Sequence, residues 1–358
     1  QMIMKLLSKI AGVIAVVALT FAVVACNKNP KPSSKADLTA INATIAKCEQ
    51  VLAAATPALY PEDAIDEFKV IIAEIKPTLN DLTQTQVDAL NVQLLAQLAA
   101  FESLKYEDIP ASAVTMSLSF DEGTGTSLKT KGSNTWTATL CAGPSEIFGS
   151  DTAIPTFVTG KVGKAIHFEK GSHIEIADYA ANKLEVGAMS ISVWVNPDKV
   201  FSGNYIVSYN YWNSFKLQVQ DASKPFFTLK AGENCQDMDN ETDQSVPAKT
   251  WSHVVVTWDG AKGEVYFYVN GEVTKVWDPD SKAGTLKGNI APYANKLPLL
   301  IGACTTYAEA CSWSWADPSQ WAKNPESWDC FYGSIDEVAI YNTVLTPGQV
   351  KKLYNTQK

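Results

Sequence analysis

The stretch Trp251–Val276, WSHVVVTWDGAKGEVYFYVNGEVTKV, decides the fold. His253–Trp258 is a β-branched run and Asp259–Gly263 a turn cluster, after which Val265, Phe267 and Val269 alternate with Tyr266 and Tyr268. That pattern predicts a hairpin with one buried face. Asn270 and Gly271 tolerate the positive φ of a type I′ turn, so Glu272–Val276 returns as a third strand. The product is an antiparallel meander.

In its motifs the stretch resembles the laminin-G-like jelly rolls of the concanavalin A-like lectin and glucanase superfamily, where W-x-H-V-x-V-T-[WY]-D-G leads to a strand ending Y-V-N-G. Further motifs follow the family's order. Gly160–Asp178 (GKVGKAIHFEKGSHIEIAD) resembles its G-x-x-G-x-A-I-x-F strand pair and Met189–Asp198 (MSISVWVNPD) its S-x-W-V-x-P strand. Leu299–Gly302 and Phe331–Asn342 fit the closing strands, and Leu345–Tyr354 the terminal helix. The resemblance implies a mainly β chain: an antiparallel β-sandwich jelly roll over residues 114–358.

The N-terminus speaks to compartment. Lys5–Lys9 is a charged start, Ile10–Ala25 is apolar but short for a membrane span, and Val23-Val24-Ala25-Cys26 matches a bacterial lipobox. Residues 1–25 are expected to be a lipoprotein signal peptide, Cys26 the lipidated residue, and 26–35 a polar tether. This reading makes the protein an outer membrane lipoprotein, held to the membrane by its lipid and facing either the cell surface or the periplasm. An oxidising compartment permits disulfides. Of seven cysteines, Cys304 and Cys330 flank the longest insertion and form the first candidate pair, with Cys311 and Cys235 as competitors.

All 29 basic residues are Lys, with no Arg anywhere, and the net charge is −9. Nucleic acid is thereby disfavoured as a partner, because phosphate contacts need basic patches and base readout leans on Arg. Arg-clamped recognition of carboxylates or sulfates is excluded too.

Residues 36–108 read as helical. Leu38, Ile41, Ile45, Cys48 and Leu52 recur at three and four residues; Pro61 opens a segment with Ile65, Phe68, Ile72 and Ile75; and a third uses Val87, Leu90, Leu94, Leu95, Leu98 and Phe101, capped by Thr83 or Thr85. A small three-helix bundle is expected. Tyr60-Pro61, Ala64-Ile65, Gln86-Val87-Asp88 and Phe101 resemble the short helical "found in various architectures" repeats of bacterial extracellular carbohydrate-active proteins, which implies a spacer or interaction element. Residues 109–113 are the linker.

Three groups of residues invite chemistry. Ile335 and the pair Val338, Ile340 fall on opposite parities, so Asp336-Glu337 is expected to be bulged. In many jelly rolls of this type an acidic residue there, with one from the first strand's turn, holds a structural Ca²⁺; the resemblance carries that role to Asp336 and Asp121, with Glu337 and Glu122 as substitutes. Solvated turn carboxylates are the plain alternative. The second group is aromatic and polar: Tyr209, Tyr211, Trp212, Asn213, Asn234 and Asp237, with Trp313, Trp315, Trp321 and Trp328 between Cys304 and Cys330. Sugar rings pack their C–H faces on such planes while amides and carboxylates bond the hydroxyls. Equally, an insertion of 25 residues without helix or strand needs its own small core. Trp194, Trp251 and Trp258 are assigned to framework packing. The third group is catalytic, and it is thin. No E-x-D-x-x-E triplet or G-x-S-x-G elbow occurs, and His167, His173 and His253 read as solvent-facing strand residues.

The sequence therefore points to a non-catalytic, lipid-anchored cell-envelope protein that binds an oligo- or polysaccharide. An envelope protein partner is the alternative, and a glycoside-active enzyme with an unrecognised site comes third.

Overall fold

A computed structural model of the chain describes residues 35–358. The signal, Cys26 and the tether before Lys35 lie outside the described residues. The chain divides into two compact units, the first ending at Tyr106 and the second starting at Glu107.

The first unit contains α1 (Thr39–Ala54), α2 (Glu62–Ile75) and α3 (Gln84–Glu102). Pro77 cannot continue α2 as an α-helix, and Lys76–Asp81 tightens into a 3-10 turn instead. Thr83 then caps α3: its side chain accepts from the Gln86 N–H while Gln86 reaches back to the Thr83 N–H. Phe101 lies stacked between Tyr60 and Phe68, each ring 4.7 Å away. Leu95, counted above with the apolar stripe, is 44% exposed, because it falls one position off the buried line of Val87, Leu94, Leu98 and Phe101. Among the described residues no helix is long and apolar enough to cross a membrane.

The second unit is a sandwich of two eight-stranded antiparallel sheets. The first sheet is built from β1 (Val114–Leu118), β4 (Thr156–Thr159), β5 (Lys164–Phe168), β7 (Ala188–Pro197), β12 (Ser252–Asp259), β13 (Glu264–Val269), β14 (Glu272–Trp277) and β16 (Gly333–Tyr341). Its order is β14-β13-β12-β7-β16-β5-β4, with β1 also paired to β16. The second sheet runs β11 (Asn234–Asp239), β10 (Lys224–Ala231), β9 (Phe215–Gln220), β8 (Asn204–Tyr209), β15 (Leu299–Ile301), β6 (His173–Ile176), β3 (Thr137–Cys141) and β2 (Ser127–Lys129). Alternate residues of both sheets meet in one core, where Trp258, Phe267, Phe215, Phe227, Phe168 and Phe331 are wholly buried.

The meander of β12, β13 and β14 turns on Asn270 (φ 53°) and Gly271 (φ 79°), both in the left-handed region. Its outward face is not solvated, contrary to the expected single buried face. After α4 (Ser145–Phe148), α5 (Tyr307–Cys311) and α6 (Pro318–Lys323), the C-terminal helix α7 (Pro347–Gln357) lies over it, so Val255 and Tyr268 pack with Leu345 and Val350. Beneath the same helix Tyr354 stacks on Trp194 and His253, and Gln357 accepts from the Trp194 indole at 3.0 Å. His253 is thus buried rather than solvent-facing, and burial pushes its imidazole down to about 3. Trp251, by contrast, lies just before β12 and is only half-buried.

Phe267→Ala should cost about 3–5 kcal/mol, because a large void opens where both sheets meet, whereas Val276→Ala, 39% exposed on β14, should stay within about 0.5 kcal/mol. Urea unfolding of the two variants checks the difference.

Candidate functional site

The aromatic residues are assembled by a strained turn and a long excursion. β8 ends at Tyr209, and Asn210 (φ 52°) and Tyr211 (φ 43°) both enter the left-handed region, uncommon for a bulky side chain. The turn sends Tyr211 inward, 3% exposed, and leaves Trp212 outside at 37%. After β15 the excursion forms the short helices α5 (Tyr307–Cys311) and α6 (Pro318–Lys323). It is therefore not devoid of helix, as the sequence suggested.

Glu309 of α5 ties these pieces together. Its carboxylate, almost fully buried, accepts from the hydroxyls of Tyr211 (2.7 Å) and Tyr293 (2.8 Å). Trp313 follows α5 and sits at the centre of an aromatic ramp: Tyr211 meets it edge-on at 5.5 Å, Trp212 at 5.2 Å, and Trp315 stacks on it at 4.7 Å. Trp315 is 65% exposed, the most open large apolar side chain of this unit.

The ramp borders a cavity of about 150 Å³ lined by Trp313, Trp315, Trp321 and Trp328 together with Cys304, Thr305, Ser327 and Asp329. Within that lining Thr305 Oγ1 is buried with no hydrogen-bond partner, and an unpaired buried donor costs about 1–3 kcal/mol; the Trp313 indole N–H is turned toward the Tyr211 hydroxyl. Burial pushes the Asp329 carboxyl up to about 6, opposed by the nearby Lys216 ammonium. Lys216 is buried in turn: it donates to Gln218 at 2.9 Å, lies over the Tyr205 ring, and has its own pKa lowered by desolvation. An apolar plane beside donors and one carboxylate can hold a ligand that has both a flat C–H face and hydroxyls.

Not every sequence candidate belongs here. Tyr209 is 1% exposed, packed in the main core, and its hydroxyl donates to Glu185. Asn213 is half-buried in the turn beside Trp212, whereas Asn234 points away and donates to the Thr285 carbonyl. Asp237 accepts from Thr228 and is close enough to Lys216 to bias it. Trp321 and Trp328 meet edge-on at 5.2 Å and pack with Ile147 and Ala310, so they serve a local core as well as the cavity wall. Thr305, Asp329 and Glu309 were not singled out in the sequence; nothing in their local pattern distinguishes them from loop residues.

Cys304 and Cys330 are free thiols, not a disulfide. Ala303 bridges Cys330 across the strands, so alternation turns Cys304 to the opposite side, beside Tyr205, while Cys330 packs under Trp328. Ser192 and His253 lie 2.9 Å apart, yet both are buried and His253 Nδ1 has no partner, so the pair has neither access nor an orienting acid.

The acidic group is brought together by the bulge. β5 pairs with β16 up to Ile335 and β1 pairs with it from Val338, and the register breaks between Asp336 and Ala339 with Glu337 at φ 50°. Into this gap come Asp121, which accepts from Lys164 N–H, and Asp336, which accepts from Val162 N–H, each at 3.0 Å. A Cβ on Gly160 would sit 2.6 Å from Asp336 Oδ2, and one on Gly163 2.1 Å from Asp121 Oδ1, so only glycines allow the approach. Burial, opposed by backbone N–H donors, raises Asp336 to about 6, and burial with repulsion from Asp336 and Asp121 raises Glu337 to about 7. Glu122 stays exposed on the turn. The bulge thus sets the raised carboxyls of Asp336 and Glu337 near Asp121.

Residues 168–305 match a laminin-G family model described as the concanavalin A-like lectin/glucanases superfamily. The sandwich is similar to the binding domain of Paraclostridial Mosquitocidal Protein 1 (TM-score 0.49, 16% identity, 69% of this chain and 52% of that one), of whose length this chain spans about half. It is similar also to domain 4 of AbnA, a GH43 extracellular arabinanase from Geobacillus stearothermophilus, in complex with arabinotriose (0.46, 19%, 67% and 97%). A third similar structure is the Ruminococcus gnavus IT-sialidase CBM40 bound to α2,3 sialyllactose (0.38, 14%, 53% and 95%). No curated protein matches the chain.

In the unfolded chain the protons of Asp336 and Glu337 leave near pH 4, so their raised folded values withdraw stability as pH rises from about 4 to about 7. The unfolding midpoint should therefore fall as pH rises from about 5 to about 7, and Asp336→Asn should flatten that fall. Calorimetry across that range checks it; a midpoint that does not fall, or that falls equally in the variant, contradicts it.

Proposed function

We propose that the chain is a non-catalytic glycan-binding protein, its sandwich presenting the ramp of Trp212, Trp313 and Trp315 to a neutral sugar. The observation that carries this reading is the exposed Trp315 stacked at 4.7 Å on Trp313, at the mouth of a cavity lined by Thr305 and Asp329. The sugar's apolar face lies on Trp315, and its hydroxyls pair with Asp329 and Thr305. Neutrality follows from composition: there is no Arg to clamp a carboxylate or sulfate, and the lining already carries Asp329. Hydrolysis between two flanking carboxylates would need a partner for Asp329, and the lining supplies none. A Ca²⁺ ion between Asp121, Asp336 and Glu337 would brace β16 without taking part in recognition. Anchored through Cys26 and carried on the helical unit as a spacer, the module would gain avidity from its density on the envelope.

Affinity electrophoresis of the soluble chain against neutral polysaccharides, uronic polysaccharides and host glycans tests the proposal. Retardation is expected on a neutral polymer, weakened about tenfold in Trp315→Ala by loss of one stacked ring, and abolished in the Trp313→Ala, Trp315→Ala double variant. Retardation by none of the polymers, or retardation indifferent to these substitutions, contradicts it.

A further inference from the structure

On the second sheet, away from the carboxylates of β16, a thiol, an imidazole and a carboxylate converge. β3 and β6 pair antiparallel with Cys141 opposite His173 and Thr139 opposite Glu175. Ala138, Leu140, Ile174 and Ile176 take the inward positions in the core, so alternation turns Cys141, His173 and Glu175 together onto the outer face. One ligand atom from each lies within 4.8 Å of the other two. A tetrahedral ion with bonds of about 2.0–2.3 Å holds its ligands roughly 3.3–3.8 Å apart, so an adjustment of about 1 Å closes the site.

The imidazole is already set for this role. His173 Nδ1 donates to the Gly171 carbonyl at 2.8 Å, which fixes the ring and turns Nε2 toward the cluster. Nε2 lies 3.2 Å from Glu175 Oε1, a contact that a ring proton or a bound cation satisfies, and the Cys141 sulfur supplies a third ligand atom beside it. The turn carrying Gly171 is held against the end of β3 by Gly143, where a Cβ would stand 1.9 Å from the Lys170 carbonyl. The ring of His173 is 12% exposed and Glu175 34%, so the group is sheltered but reachable.

We propose that Cys141, His173 and Glu175 form a site for a divalent ion of the zinc class, with its fourth position left to water. Sulfur, nitrogen and oxygen donors together select Zn²⁺ over Ca²⁺ or Mg²⁺, which prefer oxygen alone. Binding displaces the thiol proton of Cys141 to solvent, and the ion then clamps β3 to β6 near the edge of the sheet.

Co²⁺ titration of the reduced soluble chain tests this, since cobalt bound to a thiolate gives a sulfur-to-metal charge-transfer band. One equivalent should produce the band and Zn²⁺ should displace it. Competition against a chromophoric chelator should show Zn²⁺ affinity reduced at least about 100-fold in Cys141→Ser and in His173→Asn, which lie on different strands, so one reports if the other fails to fold. The band should survive in the Cys235→Ser, Cys311→Ser double variant, and Zn²⁺ should raise the thermal midpoint of the wild-type chain alone among the wild-type and the two ligand variants. Absence of the band, its persistence without Cys141, or its loss with Cys235 and Cys311 overturns the assignment.

Discussion

The antiparallel pairing of β7 with β12 on one side and β16 on the other is the constraint from which the rest of this sandwich follows. It fixes which side chains face inward, Val193 and Ile191 from β7 against Val254 and Val256 from β12. It equally fixes what is left outside: Trp194, His253, Val255 and Tyr268 are too apolar to face water, and α7 is needed to cover them. Because β16 must also serve β5 and β1 in succession along its other edge, its register breaks between Asp336 and Ala339. The carboxylate cluster is a consequence of that break.

Much of this architecture was legible in the sequence, where the physics is local. The alternation of Val265, Phe267 and Val269, the Asn270-Gly271 turn and the parity change around Asp336 each reflect strand geometry acting over a few residues. What failed was what depends on a distant cover. His253 reads as solvent-facing from its own strand because the helix that buries it lies a hundred residues on. The Cys304 and Cys330 pairing failed for a subtler reason: adjacency was right, but the bridge of Ala303 to Cys330 puts the two sulfurs on opposite sides.

The aromatic site divides the same way. Composition marked the tryptophans between Cys304 and Cys330, yet only the structure separates Trp315, open on the ramp, from Trp328, 5% exposed in a local core. Tyr209 and Tyr211 differ by two positions and serve different interiors, because Asn210 and Tyr211 both adopt positive φ between them. Glu309, Thr305 and Asp329 could not be chosen in advance, since a buried carboxylate joining two tyrosines and a hydroxyl without a partner are properties of assembled neighbours.

The most direct test of the central claim is a crystal structure of residues 35–358 with an oligosaccharide cut from a neutral polymer that retards the chain. The expected result is one sugar ring lying flat on Trp315, with hydroxyls within hydrogen-bonding distance of Asp329 and Thr305. A sugar seated elsewhere on the sandwich, with Trp315 untouched, would contradict it.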